Sequence, residues 1–191
     1  MVLSLINILM DKLVEFLERE YMEEEVRVEI IGKTTRVFAY EGLVELMRGA
    51  EYSVPRWLAN ILVSENIARV KEQELGIDKL STIAYNEESL VQKLQLVKIP
   101  RYFYLNINRI VRDLENRLKK EIDLSILDDI KKFEELLYTI GRIRVKKILN
   151  MVLLTSLPQD TVDKLSEEEK ILYNSFKGLL SIWMKKLNLE K

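Results

Sequence analysis

Few residues in this chain are of a type that could do covalent chemistry. It contains no histidine and no cysteine, which removes the commonest general base, the thiolate nucleophile, the disulfide, and the imidazole and thiolate metal ligands. Carboxylates, lysines, tyrosines and hydroxyls remain. Two acidic groups are close enough in sequence to consider as Mg²⁺ ligands: Glu23 to Glu25, and Asp128 with Asp129. The first leads into an alternating segment. The second falls in the first turn of a predicted helix, where acidic charge complements the helix dipole. Neither has a convergent partner in the sequence. The six glycines are scattered, with no phosphate-cradling loop and no dinucleotide fingerprint. The sequence therefore assigns no catalytic residue, no metal site and no cofactor, and the chain is not expected to be an enzyme.

Binding chemistry is better represented. Arg142, Arg144, Lys146 and Lys147 make a basic cluster within "GRIRVKK", and "RYFYLN" at 101–106 sets aromatics beside Arg101. Such groups can meet phosphates and bases. A net charge of −1 supplies no global field toward nucleic acid, and aromatics at a helix start more often anchor a core or an interface. Arg144 is the oddest of these residues. It stands four residues after Ile140 and four before Ile148, on the apolar stripe of a predicted helix. An unpaired buried charge costs several kcal/mol, so Arg144 either pairs within its own bundle or bridges to another subunit that covers this face.

The elements that must carry these residues follow from periodicity. Leu3, Ile6, Met10, Leu13 and Leu17 form the seam of an N-terminal amphipathic helix over 1–21. Its apolar run is broken at Asn7 and Asp11, well short of a bilayer span. The expectation is a soluble, cytoplasmic protein that does not enter a membrane. Residues 22–72 then read as a small β-rich module. Val26, Val28 and Ile30 alternate, Val37 and Ala39 alternate again, and Gly32 is placed in a hairpin turn. "EGLVELMRG" reads as a short helix ending at Gly49. Ser53 is expected to cap a second helix whose first turn holds Pro55 and whose apolar face holds Trp57, Leu58, Ile61 and Leu62. "NIARV" at 66–70 supplies a further strand.

The remainder, 77–191, is expected to be helical. Phe103, Ile107, Ile110, Val111 and Leu114 form one stripe after Pro100, and Ile126, Ile130, Phe133, Leu137 and Ile140 form the next on a helix over about 125–154. Ser166 and Glu169 have capping-box spacing at the head of a last helix. That helix is expected to bury Leu172, Phe176, Leu179, Leu180, Trp183 and Leu187. The fold class is mostly α: a helical bundle preceded by a small αβ module with a few antiparallel strands.

"SVPRWLANIL" with "ARV", then "IPRYFYLNINRI", then "IGRIRVKKIL" together resemble a subunit of the GINS complex, in an archaeal form with the β-rich B domain before the helical A domain. That is the order of partner-of-Sld-five subunits two and three. The Val-Pro-x-Trp-Leu element at 54–58 and the Pro-x-Tyr at 100–102 carry most of the likeness. The resemblance implies a non-enzymatic replisome scaffold, a 2:2 heterotetramer with a sister subunit of the reverse domain order. It implies docking on the MCM helicase ring with a Cdc45- or RecJ-like protein, and contact with primase. It places Tyr102, Tyr104, Arg142, Arg144 and Trp183 near subunit contacts, and has Pro55, Trp57 and Leu58 pin the small module against the bundle. The rival function is direct DNA binding by the basic helix face at 142–147.

Overall fold

A computed structural model describes residues 2–39, 42–71, 75–121, 123–154 and 156–189, without the side chains of residues 2, 3, 5 and 39. The chain divides into two units, Met1–Glu74 and Leu75–Lys191.

The first unit opens with helix α1 (Val2–Glu23) and continues through β1 (Glu25–Ile30), β2 (Thr35–Ala39), β3 (Gly42–Leu46), β4 (Glu51–Pro55), α2 (Arg56–Ser64) and β5 (Ala68–Val70). β1 lies at the centre of a three-stranded sheet ordered β4-β1-β5, with both pairings antiparallel. Its alternation drives Val26, Val28 and Ile30 into the core at 1%, 0% and 0% exposure. Leu46, Leu58, Leu62 and Ala68 join them there.

Three details differ from the sequence expectations. β1 does not form a hairpin with β2. Ile31 and Gly32 instead donate their N–H groups to the Ile67 carbonyl, and a Cβ on Gly32 would lie 3.0 Å from the Ile67 Cα. Gly32 thus permits close backbone approach rather than a left-handed turn. The stretch expected as a helix at 41–49 is strand β3, paired with β2. Val44 faces Val37 across the ladder and Leu46 is buried, so cross-strand packing outweighs helix propensity. Residue 41 of that stretch lies outside the described residues. Ser53 is not a helix cap. It sits in edge strand β4 opposite Arg27 and donates to Glu25 Oε2. Pro55 closes that strand, where a missing N–H is tolerated, and it is the N-cap residue of α2.

The second unit is a helical bundle: α3 (Ile77–Ser89), α4 (Phe103–Leu118), α5 (Leu124–Val152), a single turn α6 (Gln159–Val162) and α7 (Glu167–Lys186). α5 runs for 29 residues and serves as the spine against which α3, α4 and α7 pack. Its N-cap Asp123 accepts from Ser125 N at 2.8 Å. One apolar cluster gathers Leu80, Phe103, Ile107 and Ile140, and a second gathers Ile148, Met151, Leu165 and Tyr173. Each fully buried aliphatic or aromatic side chain contributes about 1.5–3 kcal/mol. The capping box at Ser166 and Glu169 is present. The burial expected along α7 is met only in part: Leu172 and Leu180 are half-buried against the second cluster, and only Glu169 and Tyr173 of that helix are fully buried. Phe176, Leu179, Trp183 and Leu187 are 39%, 60%, 62% and 49% exposed.

Candidate functional site

Between the two apolar clusters of the bundle, α5 presents Arg144 and Lys147 to the interior, with 0% and 2% exposure. The Arg144 guanidinium has five N–H donors, and five acceptors surround it. Nε donates to Glu169 Oε1 at 2.6 Å, Nη2 to Glu169 Oε2 at 2.7 Å and to the Lys164 carbonyl at 3.0 Å. Nη1 donates to Glu87 Oε1 and, at 2.9 Å, to the Val97 carbonyl. Lys147 Nζ has three donors and uses them on Glu87 Oε2, the Glu87 carbonyl and the Gln95 carbonyl, at 2.6, 3.3 and 2.9 Å. Two cations thus face two carboxylates, Glu87 and Glu169, in a neutral buried quartet. The quartet joins α3, the 95–97 loop, α5 and the start of α7. Tyr104 on α4 donates its hydroxyl to Glu169 Oε1 at 2.8 Å. Burial, helped by the Glu169 carboxylate, pushes the Tyr104 phenol well above its usual range, so it stays a neutral donor. Of the two expectations for Arg144, pairing within its own bundle is the one observed.

The three glutamates that open α7 have separate tasks. The first turns of α4 and α7 meet: Glu167 N donates to the Arg101 carbonyl at 2.8 Å and Glu168 Oε1 accepts from Leu105 N at 3.1 Å. Two positive helix ends would repel one another, and the carboxylates offset that. Desolvation raises the Glu167 carboxyl, but hydrogen bonds from Lys170 and Arg101 outweigh it and leave the group below its usual range. Glu169 enters the quartet while its box partner Ser166 donates N–H to Oε2 at 3.1 Å. Burial, with a smaller push from Glu169, raises Glu168 above the usual carboxylate range. A group raised on folding gives stability that is present at low pH and lost as pH rises through its folded pKa. Glu168→Gln should therefore gain on the wild type between about pH 4 and about pH 7, read as the difference in melting temperature at the two values.

The bundle also carries an outward apolar face. On α7, Phe176, Leu179, Trp183 and Leu187 recur at i, i+3, i+7 and i+11, with Ile182 (60% exposed) beside them. On α5, Tyr138, Val145 and Leu149 lie on the side away from Arg144 and Ile148, at 69%, 39% and 39% exposure. Arg142, also exposed, shares that side. An open groove of about 530 Å³ runs between α3 and α5, floored by Ile77, Ala84 and Leu136 and bordered by Glu88, Lys132 and Glu135. Among the described residues no three acidic side chains converge in a way that would hold a metal ion. Glu24 is taken by Arg56 at 2.6 Å and Glu25 by Ser53.

A family model described as Sld5, the GINS complex protein helical bundle domain, matches residues 62–188. The chain belongs to the GINS family. No curated protein matches it. GINS proteins are non-catalytic subunits of a DNA-replication complex. In this GINS chain the residues singled out from sequence fall in two layers. Trp183 and Arg142 are on the surface. Tyr102 is buried at 4% exposure and Tyr104 is half-buried beside it, with Arg144 deeper still. Leu58 is in the core of the first unit and Trp57 packs on the same cluster. The DNA-binding alternative loses two of its four cations, because Arg144 and Lys147 are buried and paired while Arg142 and Lys146 stay exposed. Glu87 escaped the sequence analysis, since one glutamate in "YNEESL" has no pattern to mark it. Glu169 was visible only as a capping residue. No described helix is long and apolar enough to cross a membrane.

Proposed function

We propose that this GINS chain is an archaeal-type subunit with its small β-rich domain before its bundle, the counterpart of partner-of-Sld-five subunits two and three. It acts as a non-enzymatic scaffold in the cytoplasm, at the nucleoid. The observation that carries this is the exposed apolar stripe of α7, with further exposed apolar side chains on α5. Monomers seldom leave so many large apolar side chains uncovered on one element unless a partner covers them. A sister subunit of the reverse domain order is the partner, in a closed 2:2 assembly that docks on the MCM helicase with a Cdc45- or RecJ-like protein and touches primase. Trp183 and Arg142 make subunit contacts. Tyr104 and Arg144, joined through Glu169, hold the helices that present those contacts, and Tyr102 supports them from the start of α4. Pro55, Trp57 and Leu58 fix the fold of the first unit and with it the surface that unit offers to the assembly.

Light scattering on a sizing column tests the proposal, with the 22.6 kDa chain alone and then mixed with the sister subunit of the same genome. A mixed species of about 90 kDa is expected for two copies of each. Separate peaks at unmixed masses would overturn the assembly, and a salt titration of DNA binding would then be the measurement to make.

A further inference from the structure

The connection between α3 and α4, residues 90–102, is long for a helical bundle, where about 2–8 residues usually suffice. Its first turn prolongs α3: the Val91 N–H donates to the Glu88 carbonyl and the Lys93 N–H to the Leu90 carbonyl. Beyond that the pattern changes. Among the described residues, the backbone of 94–100 makes no hydrogen bond to other backbone. Its hydrogen bonds go to the quartet instead. Lys147 Nζ donates to the Gln95 carbonyl at 2.9 Å, Arg144 Nη1 donates to the Val97 carbonyl at 2.9 Å, and the Val97 N–H donates to Glu87 Oε1 at 2.9 Å.

Packing holds the segment at two points. Leu96 plugs the cluster of Ile148, Met151 and Leu165, and Ile99 joins the cluster of Phe103 and Ile107. Leu94, Gln95, Lys98 and Pro100 are exposed. A segment fixed by two buried side chains and three hydrogen bonds to side chains opens more readily than the helices beneath it, whose backbone bonds form cooperative ladders. The chemistry of Glu87 and Lys147 points the same way. A buried ion pair adds little net stability over well-packed apolar side chains of similar size. What this pair supplies that apolar side chains cannot is a donor and an acceptor for backbone groups that no helix or strand satisfies.

We infer that residues 94–100 are a strap that opens and closes over the second apolar cluster while the helices stay folded, with Glu87 and Lys147 as its latch. Opening withdraws Leu96 from the cluster, uncovers Ile148 and Met151, and lets water reach both charges of the latch. The device uses none of the outward face of α7, so it stands or falls apart from the assembly proposed above.

The chain has no cysteine, so one introduced thiol reports on one place. Leu96→Cys marks the strap, and Ile140→Cys, at a fully buried position of α5, marks the spine. In the full chain the thiol at position 96 should react with iodoacetamide about tenfold or more faster than the thiol at position 140. Below the unfolding midpoint, urea should speed the reaction steeply at 140 and weakly at 96, because urea dependence follows the surface exposed on opening. Glu87→Met and Lys147→Met introduced together remove the latch without leaving a lone buried charge. The pair of substitutions should speed the reaction at 96 by about tenfold or more, with the rate at 140 and the urea midpoint no worse than before. Equal rates and equal urea slopes at the two positions would overturn the inference, since the strap would then open only with the whole bundle. So would a double variant in which both thiol rates rise together, because the pair would then stabilise the bundle and not the strap. If the double variant does not fold, the two rates in the otherwise wild-type chain still decide.

Discussion

Arg144→Ala is expected to remove about 3–5 kcal/mol from the stability of the helical unit, seen as a large fall in the urea midpoint. The arithmetic rests on what the substitution leaves behind. Glu87 is 0% exposed and Glu169 is 3% exposed. Without Arg144, Lys147 alone faces two buried carboxylates, and the Val97 and Lys164 carbonyls lose their guanidinium donors. Domains of this size are stable by only about 5–15 kcal/mol, so the loss decides whether the bundle stays folded at growth temperature. Arg144→Lys should recover little, because three donors cannot replace five arranged in a plane. Lys146→Ala, on the exposed side of the same helix, should stay within about 0.5 kcal/mol of the wild type. Arg144→Ala will also impair assembly, but by unfolding the surface that assembles. Should the variant instead melt with the wild type and still fail to assemble, the internal pairing would not be what Arg144 is for.

The quartet also shows where sequence patterns inform and where they stop. Arg144 stood out because a cation interrupted an apolar stripe of period 3.6, and periodicity is a local property that sequence exposes. Its partners come from residues 57 positions upstream and 25 downstream, and no local rule links them. The last helix illustrates the same limit. Its capping box was legible because Ser166 and Glu169 are three residues apart. Its stripe was legible too, but a stripe says only that something must cover it, not that this chain supplies the cover. Within the β-rich module, Val44 and Leu46 sat in a segment whose Leu, Glu and Met favour helix. Only the presence of Val37 and Thr35 across the ladder makes a strand the better solution. The α4–α7 junction had no signature at all, since it depends on two helix starts meeting in space.

The α7 stripe yields the second large expectation. Trp183→Asp should leave the isolated chain's urea midpoint unchanged and weaken assembly with the sister subunit by about a hundredfold or more. The first half follows from exposure: Trp183 is 62% exposed and its neighbours Leu179 and Ile182 are 60% exposed, so the monomer has little packing there to lose. Surface substitutions of this kind usually fall within about 0.5 kcal/mol. The second half follows from what an interface does to the same position. Trp is among the strongest interface anchors, with truncation costs of about 2–4 kcal/mol, and the new carboxylate would also have to be desolvated without a partner. Arg142→Ala supplies the contrast. An exposed charge bordering an apolar patch acts mainly on association rate, so the loss should be about tenfold or less and should shrink as salt is raised. Sedimentation of the mixed subunits at graded concentrations measures both. If Trp183→Asp assembles as tightly as the wild type, the stripe is not the contact surface. The outward face of α5, where Tyr138 is 69% exposed, is then the next surface to test, by Tyr138→Asp.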